Sequence, residues 1–310
     1  MANALELSET PQAKRMVMLV GWRQWADAGS ISSGLPKYLY QRHRARKIGT
    51  IAPDGFYLFQ FPGTHDLLRP MIQFADGYPE SLDQHRNDIY YVEIDGTGVV
   101  FVLGDEPHLD VERYTGAILD AAAQLQVEMI ISFGGVYAEV PYNKERTVSC
   151  SFSNYTLKET LEKMSVNFSN YQGGASIGAV LCRRAADRNM DYVGFYSFVP
   201  NYDLSQFEPF ENAIRIENDF MAWLGIMKRV KHFLNVNFDL IELEDKAQEL
   251  ITVLNDKIDE LDITAPSAGV RDYFEDLEDD FTEDLFNPLS DAWENELRRL
   301  LDDSESDDAS

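Results

Sequence analysis

Met16-Val17-Met18-Leu19-Val20-Gly21-Trp22 is an unbroken apolar run that stops at a glycine, followed by Asp27-Ala28-Gly29 and a helical pattern. A short continuous apolar run bounded by turn residues reads as a strand buried on both faces. Such strands belong to parallel sheets covered by helices, and in open parallel sheets ligands bind outside the strands' carboxyl ends. The loop carrying Trp22, Trp25 and Asp27 is therefore a candidate site. The alternative is a plain strand-to-helix turn, with Asp27 capping the helix and the tryptophans packed on the sheet edge.

Working outward, Ser30 to Arg42 places Ile31, Leu35, Tyr38 and Leu39 on one helical face, with Pro36 either starting or kinking that helix. Ile48 to Ile51 and Tyr57 to Phe61 have strand character. Tyr90 to Ile94 and Val99 to Leu103 flank Asp95-Gly96-Thr97-Gly98, and Asp-Gly supplies the positive φ angles of a tight hairpin. Asp110 is placed to cap a helix through Leu125, and Met129 to Phe133 is a strand ending in Gly134-Gly135. Leu157 to Met164 and Ile177 to Asn189 read as helices, and Tyr192 to Val199 as a strand stopped by Pro200. From Glu208 onward no strand is expected. Leu243, Ala247, Leu250, Leu254, Ile258 and Leu261 form one helical face, and Ala265 to Gly269 a linker. Alternating strands and helices predict an α/β fold with a mostly parallel sheet covered on both faces.

The chain has 310 residues and a net charge of −26. That charge argues against nucleic acid or an anionic membrane surface, whose phosphates draw clustered Lys and Arg. Residues 271–310 hold 16 acidic residues against Arg271, Arg298 and Arg299, a net −13, half of the whole. Tyr273, Phe274, Leu277, Phe281, Leu285, Phe286, Leu289, Trp293 and Leu297 recur there at rough helical spacing, which predicts an amphipathic helix docked on the body or on a partner; an acidic tail that orders only on binding is the alternative. No apolar stretch is long enough to span a bilayer, the start lacks a signal-peptide pattern, and Cys150 and Cys182 form no disulfide framework. The expected setting is the cytoplasm.

Most signatures of known chemistry are missing. There is no GxxxxGK[ST], no HExxH and no dinucleotide fingerprint, and the five histidines have no i, i+4 pair, so neither metal nor cofactor is expected. Gly134-Gly135 and the Gly173-Gly174-Ala175-Ser176-Ile177 segment could each aim backbone N–H groups at an anion, or serve tight turns and close packing. Glu106, Glu139 and Arg146 follow predicted strands and could converge in one polar cleft or form a loop-holding ion-pair network. No nucleophile and base are identifiable as a pair.

Gly21-Trp22 with Asp27-Ala28-Gly29, Arg69-Pro70, Gly104-Asp105-Glu106-Pro107, Val136 to Pro141, Tyr171 to Ser176 and Pro200-Asn201-Tyr202 together resemble, in order and spacing, the proteasome assembly chaperone two family, in its longer bacterial branch. The resemblance covers roughly residues 15 to 262. It implies a phosphorylase/hydrolase-like α/β core, a β-hairpin insertion that can serve oligomerisation, homotrimers, and C-terminal helices lying over the sheet edge as a lid. Tyr142-Asn143 stand where bacterial relatives often have His-Thr, and Asn201 where a His often precedes the tyrosine. The chain also ends without the hydrophobic-Tyr-x sequence by which some proteasome partners insert into the ring.

These readings give an expected organisation: a flexible N-terminus over 1–15, an α/β core over 16–207 with its hairpin near 90–103, a helical lid over 208–264, an acidic amphipathic segment over 265–302 and a disordered tail over 303–310. The candidate cleft comprises Trp22, Asp27, Glu106, Gly134, Gly135, Glu139, Arg146, Asn201 and Tyr202. The expected function is that of an oligomeric, assembly-chaperone-like binding protein with itself and a protein or small polar ligand as partners. The alternative is a hydrolase- or phosphorylase-like enzyme acting on a small polar or nucleoside-like ligand in the same cleft.

Overall fold

The apolar run becomes the strand Arg15–Arg23, central to a ten-stranded sheet, and alternation along it sorts the core into two halves. Val17 and Leu19 face one side with Ile31, Leu35, Phe101 and Trp223, while Met18, Val20 and Trp22 face the other with Val100, Tyr114, Ile118 and Leu181. The computed structural model describes residues 4–23, 25–60, 69–83, 85–207, 214–283 and 285–286.

In chain order the strands are β1 (Leu5–Leu7), β2 (Arg15–Arg23), β3 (Arg46–Ile51), β4 (Ile72–Ala75), β5 (Tyr78–Leu82), β6 (Asp88–Ile94), β7 (Thr97–Asp105), β8 (Met129–Ala138), β9 (Val148–Phe152), β10 (Asn167–Phe168), β11 (Asp191–Tyr202) and β12 (Ile214–Arg215). The helices are α1 (Gly34–Arg42), α2 (Val111–Gln124), α3 (Lys158–Glu162), α4 (Ile177–Asp187), α5 (Phe220–Leu234), α6 (Ile241–Thr264) and α7 (Val270–Asp279). The main sheet runs β1-β3-β6-β7-β2-β8-β11-β9-β10, with β12 beside β11. Its centre, β7-β2-β8-β11, is parallel. The flanks are largely antiparallel, so the sheet is mixed and mostly parallel. Helices α2 and α4 cover one face, and α1, α5 and α6 the other. Among the described residues no helix is long and apolar enough to cross a membrane.

Several local expectations change. Tyr57–Gln60 is not a strand: the Leu58 N–H donates to His108 Nδ1 at 3.1 Å and the Tyr57 hydroxyl to Asn87 at 2.7 Å, so side chains replace a ladder. Phe61 lies outside the described residues. Helix α1 starts at Gly34, with Pro36 in its first turn, where no intrahelical donor is lost. Asp110 begins α2 in a left-handed conformation without capping it, and its carboxylate instead accepts from Arg113 Nε at 2.6 Å. Pro200 does not stop β11, because it pairs with Ala138 where β8 ends, and β12 then takes over as partner. That short strand, β12, lies beyond Glu208, where none was expected.

The hairpin expected near 90–103 is the pair β6–β7, closed by Asp95 and Gly96 at φ 49° and 79°. It is not a projection: every residue of β7 is buried, between β6 and β2. A second hairpin, β4–β5, turns on Asp76 and Gly77 at φ 48° and 82° and forms a two-stranded sheet of its own, exposed along its whole length.

Candidate functional site

The nine candidate residues stand at or beside the carboxyl edge of the parallel strands, and their side chains divide between the two faces. Trp22 is buried on the α2/α4 face, its Nε1–H donating to the Tyr114 hydroxyl at 3.1 Å. Glu106 accepts the Ile177 N–H at 2.9 Å, placing a carboxylate on the first turn of α4. Burial pushes its carboxyl up, against the pull of the Ile177 and Trp25 N–H groups. Asp27 lies toward the opposite face, accepting from both the N–H (2.9 Å) and the hydroxyl (2.6 Å) of Ser33 at the head of α1. A side chain on Gly135 would place Cβ 2.1 Å from the Ala28 carbonyl oxygen, so this glycine lets the 26–28 loop press on β8. On Gly134 it would meet the Tyr196 ring at 2.4 Å.

Arg146 is fully enclosed. It pairs with Asp219 at 2.8 Å and donates to the carbonyls of Pro141, Tyr142 and Lys144. Asp219 in turn caps α5 through the Ala222 N–H at 3.1 Å. These bonds fix the loop after β8 to the head of α5, the loop-holding network the sequence left open. Trp22 and Arg146, on opposite faces and both enclosed, present no shared open wall. Tyr202 is buried and donates to the Val140 carbonyl at 2.5 Å, while Asn201 pairs in register with Arg215.

The same loop is covered by the acidic C-terminal segment. Phe274 of α7 sits edge-on to Tyr202 (4.7 Å) and Tyr142 (5.6 Å). Tyr273 bonds Glu139, Glu278 accepts from Asn143 at 2.6 Å, and Glu283 accepts the Glu145 N–H at 2.6 Å. Phe286 is buried under Arg229, which pairs with Glu145 at 2.9 Å. The described part of the segment thus docks on its own chain, with Val270, Phe274 and Phe286 buried, Leu285 exposed and most carboxylates in water. Trp293 and Leu297 lie outside the described residues.

A polar cluster not singled out from the sequence lies where β2 and β7 end. Asp105 is buried; its carboxylate accepts from Arg23 Nε at 2.5 Å and bonds His85 Nδ1 at 2.9 Å. Burial opposes its charge, yet Arg23 and His85 hold the carboxyl below its usual range. Asn87 Oδ1 accepts from Tyr57 (2.7 Å), Tyr114 (3.0 Å) and the Asp105 N–H (3.3 Å), and its Nδ2 donates to the Ile51 carbonyl at 3.2 Å. Tyr57 stacks on His85 at 4.1 Å, with His108 edge-on to both rings. The available signal was Gly104-Asp105-Glu106-Pro107, read for Glu106 rather than for the buried residue before it. His85 and Asn87 gave none, since they converge with Asp105 only through the β6–β7 register.

Among the described residues no group of three His, Cys, Asp or Glu side chains could hold a metal ion. Burial pushes the Cys150 thiol up to about 12 and the Cys182 thiol up to about 11, so neither is a ready nucleophile. A shallow recess of about 390 Å³, lined in part by Arg44, Arg46, Tyr91 and Glu93, lies at the amino end of the parallel strands, away from this chemistry.

The PAC2 family model matches residues 22–257. Solved structures with this fold include a PAC2 family protein from Streptomyces avermitilis, at 21% identity and TM-score 0.65, covering 83% of this chain and 99% of that one. A proteasome-assembly chaperone homologue from Mycobacterium tuberculosis aligns at 20% identity and TM-score 0.68, over 83% of this chain and 99% of its own. An archaeal proteasome activator from Pyrococcus furiosus aligns at 18% identity and TM-score 0.57, over 81% and 97%. None of the curated proteins matches the chain.

Proposed function

This chain belongs to the PAC2 family, and on that premise we propose that it is an oligomeric binding protein of the assembly-chaperone kind, its β4–β5 hairpin making the contact between copies. The observation that carries this reading is the hairpin's surface. Met71, Ile72, Phe74, Tyr78 and Leu82 lie within twelve residues of one another and are 71, 48, 61, 73 and 47% exposed. A two-stranded hairpin is marginal in water unless its apolar side chains meet a surface, and clustered exposed apolar groups mark interaction sites. This pair hydrogen-bonds to no strand of the main sheet. A second copy supplies the missing surface, and the resemblance of the sequence to bacterial relatives makes a trimer the expected stoichiometry.

The relatives described as a proteasome-assembly chaperone homologue and a proteasome activator support a protein as the assembly's partner. Native mass spectrometry across the micromolar range tests the reading. The expected result is a discrete oligomer, a trimer. A monomer throughout contradicts it.

A further inference from the structure

His85 and His108 meet at the carboxyl edge with ring centroids 5.9 Å apart and planes at 87°. Their partners fix them in opposite tautomers, an assignment that follows from hydrogen-bond direction. The ionised Asp105 carboxylate only accepts, so His85 Nδ1 carries the proton of their 2.9 Å bond, and in the neutral ring Nε2 holds the lone pair. At His108 the direction reverses. The Leu58 N–H donates to Nδ1 at 3.1 Å, so Nδ1 holds the lone pair and Nε2 the proton. Burial, then the neighbouring His85, holds the His108 pKa below its usual value, which favours the neutral ring. Neither Nε2 has a hydrogen-bond partner among the described residues. Two rings in edge contact thus offer a basic nitrogen and an N–H donor.

The remaining groups hold these rings in place. Tyr57 lies flat on His85, its centroid 4.1 Å away and its plane tilted 14°, while its hydroxyl is tied to Asn87 and the Asp105 carbonyl. Arg23 binds the other Asp105 oxygen at 2.5 Å, and His85 keeps 23% of its side chain exposed. An aspartate that orients an imidazole and stabilises its protonated form is a recurrent device for making a general base.

We propose that His85 is the general base of a hydrolytic site for small carboxylic esters, with His108 donating its Nε2–H to the ester carbonyl oxygen. Water gives one proton to His85 Nε2 as its oxygen bonds the carbonyl carbon. The carbonyl π pair moves onto oxygen, where the His108 N–H meets the developing charge, a role a neutral imidazole can fill. When that pair returns, the carbon–alkoxide bond breaks and the alkoxide takes the proton from His85, leaving a carboxylic acid and an alcohol. A neutral imidazole donor does not release its proton, so His85 alone must protonate the leaving group. That requirement suits an alkoxide, which departs more readily than an amide nitrogen. Asp105, Tyr57 and Arg23 are positioning residues.

The test uses the full chain and p-nitrophenyl acetate. The expected result is steady turnover without a burst, a loss of kcat/KM of about 100-fold in His85→Gln, and a fall in kcat at unchanged KM in His108→Gln. Asp105→Asn is expected to displace the pH profile of kcat/KM by releasing the tautomer. Wild-type turnover no faster than His85→Gln overturns the proposal, and a burst of one nitrophenol per chain overturns direct attack by water. Because His85→Gln also removes a bond near the root of β5, long-range ¹H–¹⁵N correlation of the wild-type imidazoles provides the second arm. One ring protonated at Nδ1 and the other at Nε2 is expected; both protonated at Nε2 refutes the dyad.

Discussion

Two hairpins in this chain turn on the same dipeptide and meet opposite fates. Asp76-Gly77 closes β4–β5 and Asp95-Gly96 closes β6–β7, each with positive φ at both positions, as a tight hairpin turn demands. The difference lies in the strands. Tyr90-Tyr91-Val92 and Val99 to Leu103 carry apolar residues on both faces, and only the middle of a covered sheet buries both. Ile72-Gln73-Phe74-Ala75 and Tyr78-Pro79-Glu80-Ser81-Leu82 are shorter, register-shifted and interrupted by Pro79, a residue confined to edge strands and bulges. The turn makes a hairpin; its strands decide whether the hairpin belongs to the core or to a surface.

The largest contrast is expected from aromatic truncations. Phe101→Ala empties a fully buried site in β7 and is expected to cost about 3–5 kcal/mol in urea unfolding. Phe74→Ala, measured at a concentration low enough to dissociate the assembly, should change stability by no more than about 0.5 kcal/mol. Equal costs would break the comparison.

The turns themselves come next. An alanine at φ near +80° is strained, so Gly96→Ala should lower global stability by about 1 kcal/mol or more. Gly77→Ala meets the same strain, yet its effect should appear only as faster hydrogen exchange within residues 72–82.

The smallest effect is a pH dependence at the base of both hairpins, where His85 follows β5 and Asp105 ends β7. Asp105 is held below its usual range despite burial, so the unfolded chain binds its proton more readily. Its contribution is complete above the unfolded value of about 3.9 and is lost as pH falls through the lower folded value. His108, lowered by burial and His85, acts in the same direction at higher pH, its contribution waning as pH falls below the unfolded histidine value of about 6.5. Asp105→Asn should flatten the acid limb of a stability–pH curve and, because the Asp105 charge raises the His108 pKa, shift the His108 limb toward lower pH.

The sequence made the sheet legible because its centre is written in continuous apolar runs. Met16 to Val20, Val99 to Leu103 and Met129 to Phe133 each have the residues a doubly covered strand needs, and the family resemblance, carried by short motifs in order, extended that reading across the core. Strands without such runs were missed. Val148–Phe152 alternates two buried residues with serines, and β10 and β12 are two residues long, below any periodicity. Asp76-Gly77 went unread because its flanks lack the apolar alternation that marked Asp95-Gly96. At the site, sequence placed Trp22, Asp27 and Glu106 at the right edge but could not show which face each side chain takes. The Asp105–His85–Tyr57 cluster depends on two separate loops converging on the end of β7, and no local pattern records that.

Multi-angle light scattering of wild type beside the double variant Phe74→Asp, Tyr78→Asp tests most directly whether β4–β5 is the contact between copies. The two aspartates replace exposed rings, so the fold and its thermal transition should survive. The expected masses are three times the chain mass for wild type and one chain mass for the variant. A variant that keeps the wild-type mass would show that the copies meet elsewhere.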